Sequence, residues 1–387
     1  MTRLILRPNR AARLLSGGRT VYAGDVARIE GRMEPGCEAE VVTAEGRPVG
    51  RGLCSPGSKQ LLRLLTRGDE LLDHAFFADR LERAWHYRQL LGETECCRVV
   101  HGDADWLPGL TVDKYGEVLS LQTLTAGMEQ RLPMLCDLLE ALLHPIAIYE
   151  RNDVKVRERE GLPQRSGLLR GSLPTPLLVR ENGFLLEVDV LGGQKTGSYL
   201  DQRENHAAIA PYVKGKRVLD ACCHTGGFGL HAAGYGAAQV TACDISEQAL
   251  VQARANYERN GLTAEFVQDD VFELLRRYRR EGRQFDVIIL DPPAFCKNRS
   301  ALEGALRGYK DINLNAMALL PPGGTLVTCS CSHHVTPELF YDMLRQAADD
   351  AGVSARVVEQ RLQSRDHPIL LEDDGSLYLK CAILQMF

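Results

Sequence analysis

The sequence predicts an α/β protein: an open, doubly wound, mainly parallel sheet in its second half, preceded by a small all-β domain and an α+β middle segment. Three observations predict it. Beyond residue 181 strand-like and helix-like stretches alternate, the pattern that builds a parallel sheet covered by helices. Residues 1–68 alternate short apolar runs with Gly and Pro turns, as in "TVYAGDVARIEGRMEPGCEAEVV", the pattern of a small barrel or sandwich. The chain has 387 residues, 44% hydrophobic and 25% charged, which is the composition of a globular protein of two or three domains.

The boundaries follow from changes in pattern: an all-β domain over 1–68, an α+β domain over 69–180, and the α/β domain over 181–387. In "DHAFFADRLERAWHYRQLL" the apolar residues Phe76, Phe77, Leu81, Trp85 and Leu90 recur at helical spacing, and Gly92 ends the run. Two alternating strands then flank the turn in "WLPGLTVDKYGEVLSLQTL", "MEQRLPMLCDLLEALL" reads as a helix and "IAIYERND" as a strand. The Pro- and Gly-rich stretch 161–176 is the expected linker. Past it come the strand "KRVLDACC", the helix start "GGFGLHAAGYGA", the strand "QVTACDIS" and a helix closed by Gly261. The strand "AEFVQDD", the helix "VFELLRRYRREG", the strand "FDVIILDPP", a helix through "GYKDINLNAMALL" and the strand "GTLVTCSCS" complete the alternation.

Net charge is −5 for the whole chain, yet residues 1–68 carry twelve Arg and Lys against six Asp and Glu. A second basic stretch, 151–180, has seven positive and three negative residues. Clustered positive charge on an acidic protein points to a polyanionic partner, nucleic acid above all. The twelve cysteines include no C-x-x-C pair, which is poor spacing for zinc or for a disulfide framework, so most are expected as buried small apolar residues and no metal is expected. The opening "MTRLILRPNR" is too short in apolar residues for a signal peptide, and no run approaches the length of a membrane span. A cytoplasmic protein without membrane contact is the expectation.

In a doubly wound sheet, ligands bind beyond the carboxyl ends of the strands. After the first strand, "DACCHTGGFG" sets Gly226, Gly227 and Gly229 where the chain turns tightly into a helix. After the second comes Asp244, placed to accept hydrogen bonds from ribose hydroxyls; after the third, Asp269 and Asp270; after the fourth, "DPPAF" beginning at Asp291. A glycine loop with a ribose acid also suits a nicotinamide dehydrogenase. A pyrophosphate is repelled by gathered carboxylates, however, whereas the sulfonium and ammonium of S-adenosylmethionine are attracted by them. Any single Asp here is as readily a helix cap or turn residue.

"GQKTGSYLDQRENH" (193–206), "HTGGF" (224–228), "DPPAF" (291–295), "RGYKDIN" (307–313) and "TCSCSHHVTPELF" (328–340) together resemble the bacterial class I methyltransferases of the RlmI type, which make 5-methylcytosine in 23S ribosomal RNA. The likeness extends through "GDADWLPGLTVDKYG" (102–116) and a front domain of PUA type, a small RNA-binding β-barrel. The resemblance implies a Rossmann-like methyltransferase domain over 181–387, S-adenosylmethionine as cofactor and 23S rRNA as partner, and it is compatible with a homodimer. It implies cofactor contacts from Lys195, Thr196, Tyr199, Asp201, Gln202, Arg203, Thr225, Gly226, Gly227, Phe228, Asp244, Asp270 and Asp291. Cys223 is read as packing.

Carbon 5 of cytosine is too weak a nucleophile to take a methyl group unaided. A thiolate that adds to carbon 6 turns the ring into an enamine whose carbon 5 is electron-rich. By position in the "SCS" motif, Cys331 resembles the family's nucleophile; Cys329 shares its strand face but lies inside the strand, so only Cys331 reaches a pocket. Asp291 is the candidate for holding the cytosine edge. His333 or His334 is a candidate for lowering the thiol pKa, Lys310 for lining the site, and Cys296 is expected to be dispensable. The rival readings are an RNA methyltransferase acting on a guanine without a nucleophilic cysteine, a nicotinamide oxidoreductase, and an RNA-binding assembly protein without catalysis.

Overall fold

The computed structural model describes residues 2–372 and 374–387. Contacts divide the chain into two compact units, one of residues 1–179, 188–200 and 366–376, the other of 180–187, 201–365 and 377–387. The first unit contains two sheets. Six strands run in the order Thr20–Tyr22, Gln60–Thr66, Pro48–Cys54, Glu38–Val42, Thr2–Leu6, Val26–Glu30. Thr2–Leu6 and Glu38–Val42 are parallel and their other pairings antiparallel. Leu4, Leu6, Val41, Leu62 and Leu64 fill the core of this sheet. Five further strands, Arg165–Gly171, Ala147–Asn152, Val118–Thr123, Leu110–Tyr115 and Cys96–His101, form the second sheet. The stretch expected as a linker is therefore partly an edge strand, Arg165–Gly171, paired antiparallel with Ala147–Asn152.

Helix His74–Leu91 starts where the Asp73 carboxylate accepts the Phe76 N–H at 3.0 Å and stops at Gly92, whose φ is 87°. Its Phe76, Phe77 and Leu81 share one buried cluster with Leu53 and Leu65 of the six-stranded sheet, so the front β domain and the middle segment fold around common side chains. Leu90, expected on the buried face, is 71% exposed. Arg88 takes the inward position instead and is fully buried. Its guanidinium pairs with both Asp105 oxygens and donates to the carbonyls of Arg98 (2.7 Å) and Asp366 (2.8 Å), which satisfies a charge that an apolar core would otherwise exclude.

The second unit holds a seven-stranded sheet in the order Glu265–Gln268, Gln239–Asp244, Arg217–Ala221, Val287–Leu290, Thr325–Ser330, Lys380–Met386, Ala355–Leu362. The first five are parallel, as the alternating pattern predicts. Lys380–Met386 inserts antiparallel between its two neighbours. Strand order reverses between Arg217–Ala221 and Val287–Leu290, which opens a crevice at their carboxyl ends. Both faces are covered, so these strands read as continuous apolar runs. Leu219, Ile288, Leu290 and Leu326 pack with Leu274, Ile312 and Phe340 from helices Val271–Glu281, Leu302–Ala318 and Pro337–Ala351. The alternate residues Val218, Val287, Ile289 and Val327 pack with Phe228, Leu230 and Tyr257. Among the described residues no helix is long and apolar enough to cross a membrane.

Candidate active site

The first strand end of the second unit is a run of unusual backbone. Cys222 and His224 have φ of 67° and 49°, and Gly226 has φ 93° as the cap of helix Gly227–Gly234. A Cβ on Gly227 would sit 2.7 Å from the His206 ring, so only glycine lets the loop lie against that imidazole. Asp220, 1% exposed, accepts the Gly229 N–H at 2.7 Å and ties strand to helix. The Thr225 carbonyl accepts from Asn256 at 3.1 Å. The Phe228 side chain, expected at the cofactor, is core: it is 3% exposed, and its ring meets that of His206 edge-on at 4.5 Å.

Asp244 ends the second strand. Its two oxygens accept the N–H groups of His224 (2.8 Å) and Ser246 (2.9 Å), which leaves further lone pairs for hydroxyl donors. Asp270 caps helix Val271–Glu281, accepting from Phe272 at 2.9 Å, while Asp269 is ion-paired with Arg277 at 2.6 Å. At the fourth strand end Asp291 accepts from Gln202 Nε2 at 2.9 Å, and Gln202 in turn accepts from Asn205 at 2.7 Å. Asp201 is 1% exposed; its carboxylate accepts from Tyr378 at 2.8 Å and its carbonyl from Ser364 N at 2.8 Å. Arg203 is likewise buried, at 3% exposure. Burial pushes Asp220 up to about 7, opposed by the Gly229 N–H and reinforced by the charges of Asp291 and Asp244. The carboxylates therefore feel one another, and a cationic ligand relieves that repulsion.

Lys195, Thr196 and Tyr199 fall in the first unit. The Lys195 ammonium lies 4.4 Å from the centre of the Tyr199 ring. Thr196 is 1% exposed and its hydroxyl bonds Asp113 and Tyr115, so the side chain packs that unit internally. Glu181, His206 and His231 put three potential metal-ligand atoms within 4.8 Å of one another. Their contacts are those of a hydrogen-bonded network that backs the glycine loop: His206 Nδ1 to Glu181 at 2.7 Å, and His231 Nδ1 to the Gly227 carbonyl at 2.7 Å.

The thiols divide sharply. Nine of the twelve cysteines are buried; Cys37, Cys222 and Cys331 are half-buried. Burial, with nearby carboxylates adding to it, pushes the thiols of Cys222 and Cys223 well up, which keeps them neutral and unreactive. Cys329 lies fully buried inside Thr325–Ser330, and burial and Cys381 opposite it push its thiol well up too. Cys331 stands just past the end of that strand. The turn around it is braced by Ser332, whose hydroxyl accepts the Cys296 N–H at 3.0 Å and meets the Tyr309 hydroxyl at 2.9 Å. His333 is exposed and His334 half-buried, with ring centres 5.5 Å apart. Lys310, a candidate for lining the site, instead pairs with Asp350 at 2.7 Å. Sequence reasoning missed Lys380, 3% exposed, whose Nζ donates to the Ser332 carbonyl at 2.8 Å.

A seven-stranded sheet with this order, a glycine loop after its first strand and carboxylates at the following strand ends is the architecture of a class I S-adenosylmethionine-dependent methyltransferase. The family model described as S-adenosylmethionine-dependent methyltransferase matches residues 154–380, and that of a PUA-like domain matches residues 4–67. The chain is 45% identical over 386 residues to a Cronobacter sakazakii protein named ribosomal RNA large subunit methyltransferase I, covering 98% of each chain. An Escherichia coli O157:H7 protein of the same name is 44% identical, again over 98% of each. The chain belongs to the family of the large subunit methyltransferase I proteins, and S-adenosylmethionine is its cofactor. Among solved structures, a Streptococcus mutans protein described as a SAM-dependent methyltransferase superposes with a TM-score of 0.82 at 20% identity over all of both chains. A methyltransferase-like protein complexed with SAH superposes with a TM-score of 0.85, also at 20% identity over all of both chains. Both share the fold.

Proposed function

We propose that this protein methylates carbon 5 of a cytosine in the large-subunit 23S ribosomal RNA, with Cys331 as the nucleophile. The observation that carries this reading is the placement of a half-buried thiol just beyond the strand end next to Asp291, while Cys329, two residues earlier, is sealed in the sheet. The names of the relatives and the basic front domain supply the RNA substrate.

Asp244 would hold the ribose hydroxyls of S-adenosylmethionine, and the loop Thr225–Gly227 with the carboxylates of Asp220 and Asp291 would receive its charged end. S-adenosylmethionine, when bound, supplies an electrophilic methyl group on a sulfonium. Cys331 Sγ adds to carbon 6 as Asp291, held by Gln202, binds the polar edge of the ring. Carbon 5, now enamine-like, is the nucleophile that would accept the methyl group from the sulfonium, which would leave as the neutral thioether. Loss of the carbon 5 proton to a base and cleavage of the carbon 6–sulfur bond return the thiolate and an aromatic 5-methylcytosine. Such chemistry requires the base to be splayed out of a helix or presented in a loop.

A trap tests this sequence of steps. With 5-fluorocytidine in the RNA, carbon 5 carries fluorine instead of a removable proton, so the adduct cannot break down. A covalent protein–RNA complex that forms with the intact chain and is absent for Cys331→Ala is the expected result. Methyl transfer without any such complex would point to the guanine reading, which needs no thiol.

A further inference from the structure

Lys380 is a buried cation in an unusual place. It lies opposite Ser330 in the antiparallel pairing of Lys380–Met386 with Thr325–Ser330, so its side chain emerges where the strand bearing the thiol motif ends. Its Nζ donates to the carbonyls of Ser332 (2.8 Å) and Tyr378 (2.9 Å). Two of the three ammonium protons are thereby used on backbone carbonyls, and among the described residues no carboxylate is ion-paired with it. A lysine is rarely this deeply buried without an anionic partner. The acidic groups whose charge reaches it are the thiols of Cys331 and Cys296. Tyr309 faces the same turn through Ser332, and its phenol stays neutral because burial pushes it up.

We propose that Lys380 is a positioning residue that pins the Cys331 turn through the Ser332 carbonyl and acts as the resident counter-charge of the Cys331 thiolate. This deepens the nucleophile reading and rests on it. Before substrate arrives, the ammonium compensates the thiolate; when Sγ bonds to carbon 6 that charge passes to the ring, and on elimination it returns to a sulfur whose partner has not moved. Burial holds Lys380 itself down to about 8, with the two thiols pulling it back up, so the ammonium is present at neutral pH and is lost above about 8.

The test is the pH dependence of iodoacetamide alkylation at Cys331, followed by peptide mass spectrometry on the full-length protein without RNA or cofactor, beside Lys380→Met and Lys380→Arg. The expected result is a midpoint for Cys331 in the intact chain below the ordinary thiol value of about 8.5, and a higher midpoint in Lys380→Met. Alkylation of that variant at pH 7 then slows roughly tenfold, the change in thiolate fraction for one pKa unit. Lys380→Arg, which keeps the charge, restores much of the reactivity. An intact-chain midpoint at or above about 8.5, or one unchanged in Lys380→Met, overturns the inference. Because alkylation needs no turnover, that failure is distinct from failure of the nucleophile itself, which shows as methyl transfer by Cys331→Ala.

Discussion

Asp244 shows how the fold fixes a side chain that we propose as a cofactor ligand. Each of its oxygens already accepts one backbone N–H, which fixes the carboxylate at the strand end and leaves the remaining lone pairs directed elsewhere. Asp244→Ala should weaken S-adenosylmethionine binding by roughly tenfold to a hundredfold, the worth of hydrogen bonds to a charged acceptor, and calorimetric titration reads this directly. Unchanged affinity would place the ribose elsewhere. Asp270, which the resemblance assigns to the cofactor, spends one oxygen on capping its helix. Cys329→Ala should retain methyl transfer and lose only packing stability, visible as a lowered unfolding midpoint with unaltered kcat.

The elements that carry the site were the most legible part of the sequence. The five parallel strands and their helices follow from apolar runs separated by stretches of helical spacing, and the glycines and acids were picked out because a doubly wound sheet places its ligand-facing residues at strand ends. Lys380–Met386 escaped notice because an antiparallel strand inserted late has no helix before it to complete the pattern. With it went Lys380. The inward position of Arg88 was equally hidden, since a helix face is read from apolar spacing and a buried arginine declares itself only through partners distant in sequence. The network behind the glycine loop carries its own prediction. Burial, with His206 adding, holds His231 down to about 4, against the pull of Glu181. The unfolded chain therefore binds the proton first as pH falls, and stability present above about 6.5 is lost progressively toward pH 4. Asp220, pushed up to about 7, acts in the opposite sense over the same window, so the His231 contribution is read as a difference: in chemical denaturation His231→Gln should lose less stability toward pH 4 than the intact protein, and equal slopes for both would contradict this account.

At the scale of the whole molecule, the chain is a basic front domain, a middle sheet and a methyltransferase sheet, with contacts grouping the first two. Leu65, fully buried, belongs to the cluster that also contains Phe76 and Phe77. Leu65→Ala should cost about 2–5 kcal/mol and raise hydrogen exchange both in the six-stranded sheet and in helix His74–Leu91. Exchange raised in the sheet alone would show that the two fold independently. The central claim concerns the reaction, and nucleoside mass spectrometry reads it most directly: unmethylated large-subunit RNA is incubated with S-adenosylmethionine and either the intact protein or Cys331→Ala, then digested. The account predicts 5-methylcytidine with the intact protein and none with the variant. A methylated guanosine, or equal 5-methylcytidine from both proteins, would contradict it.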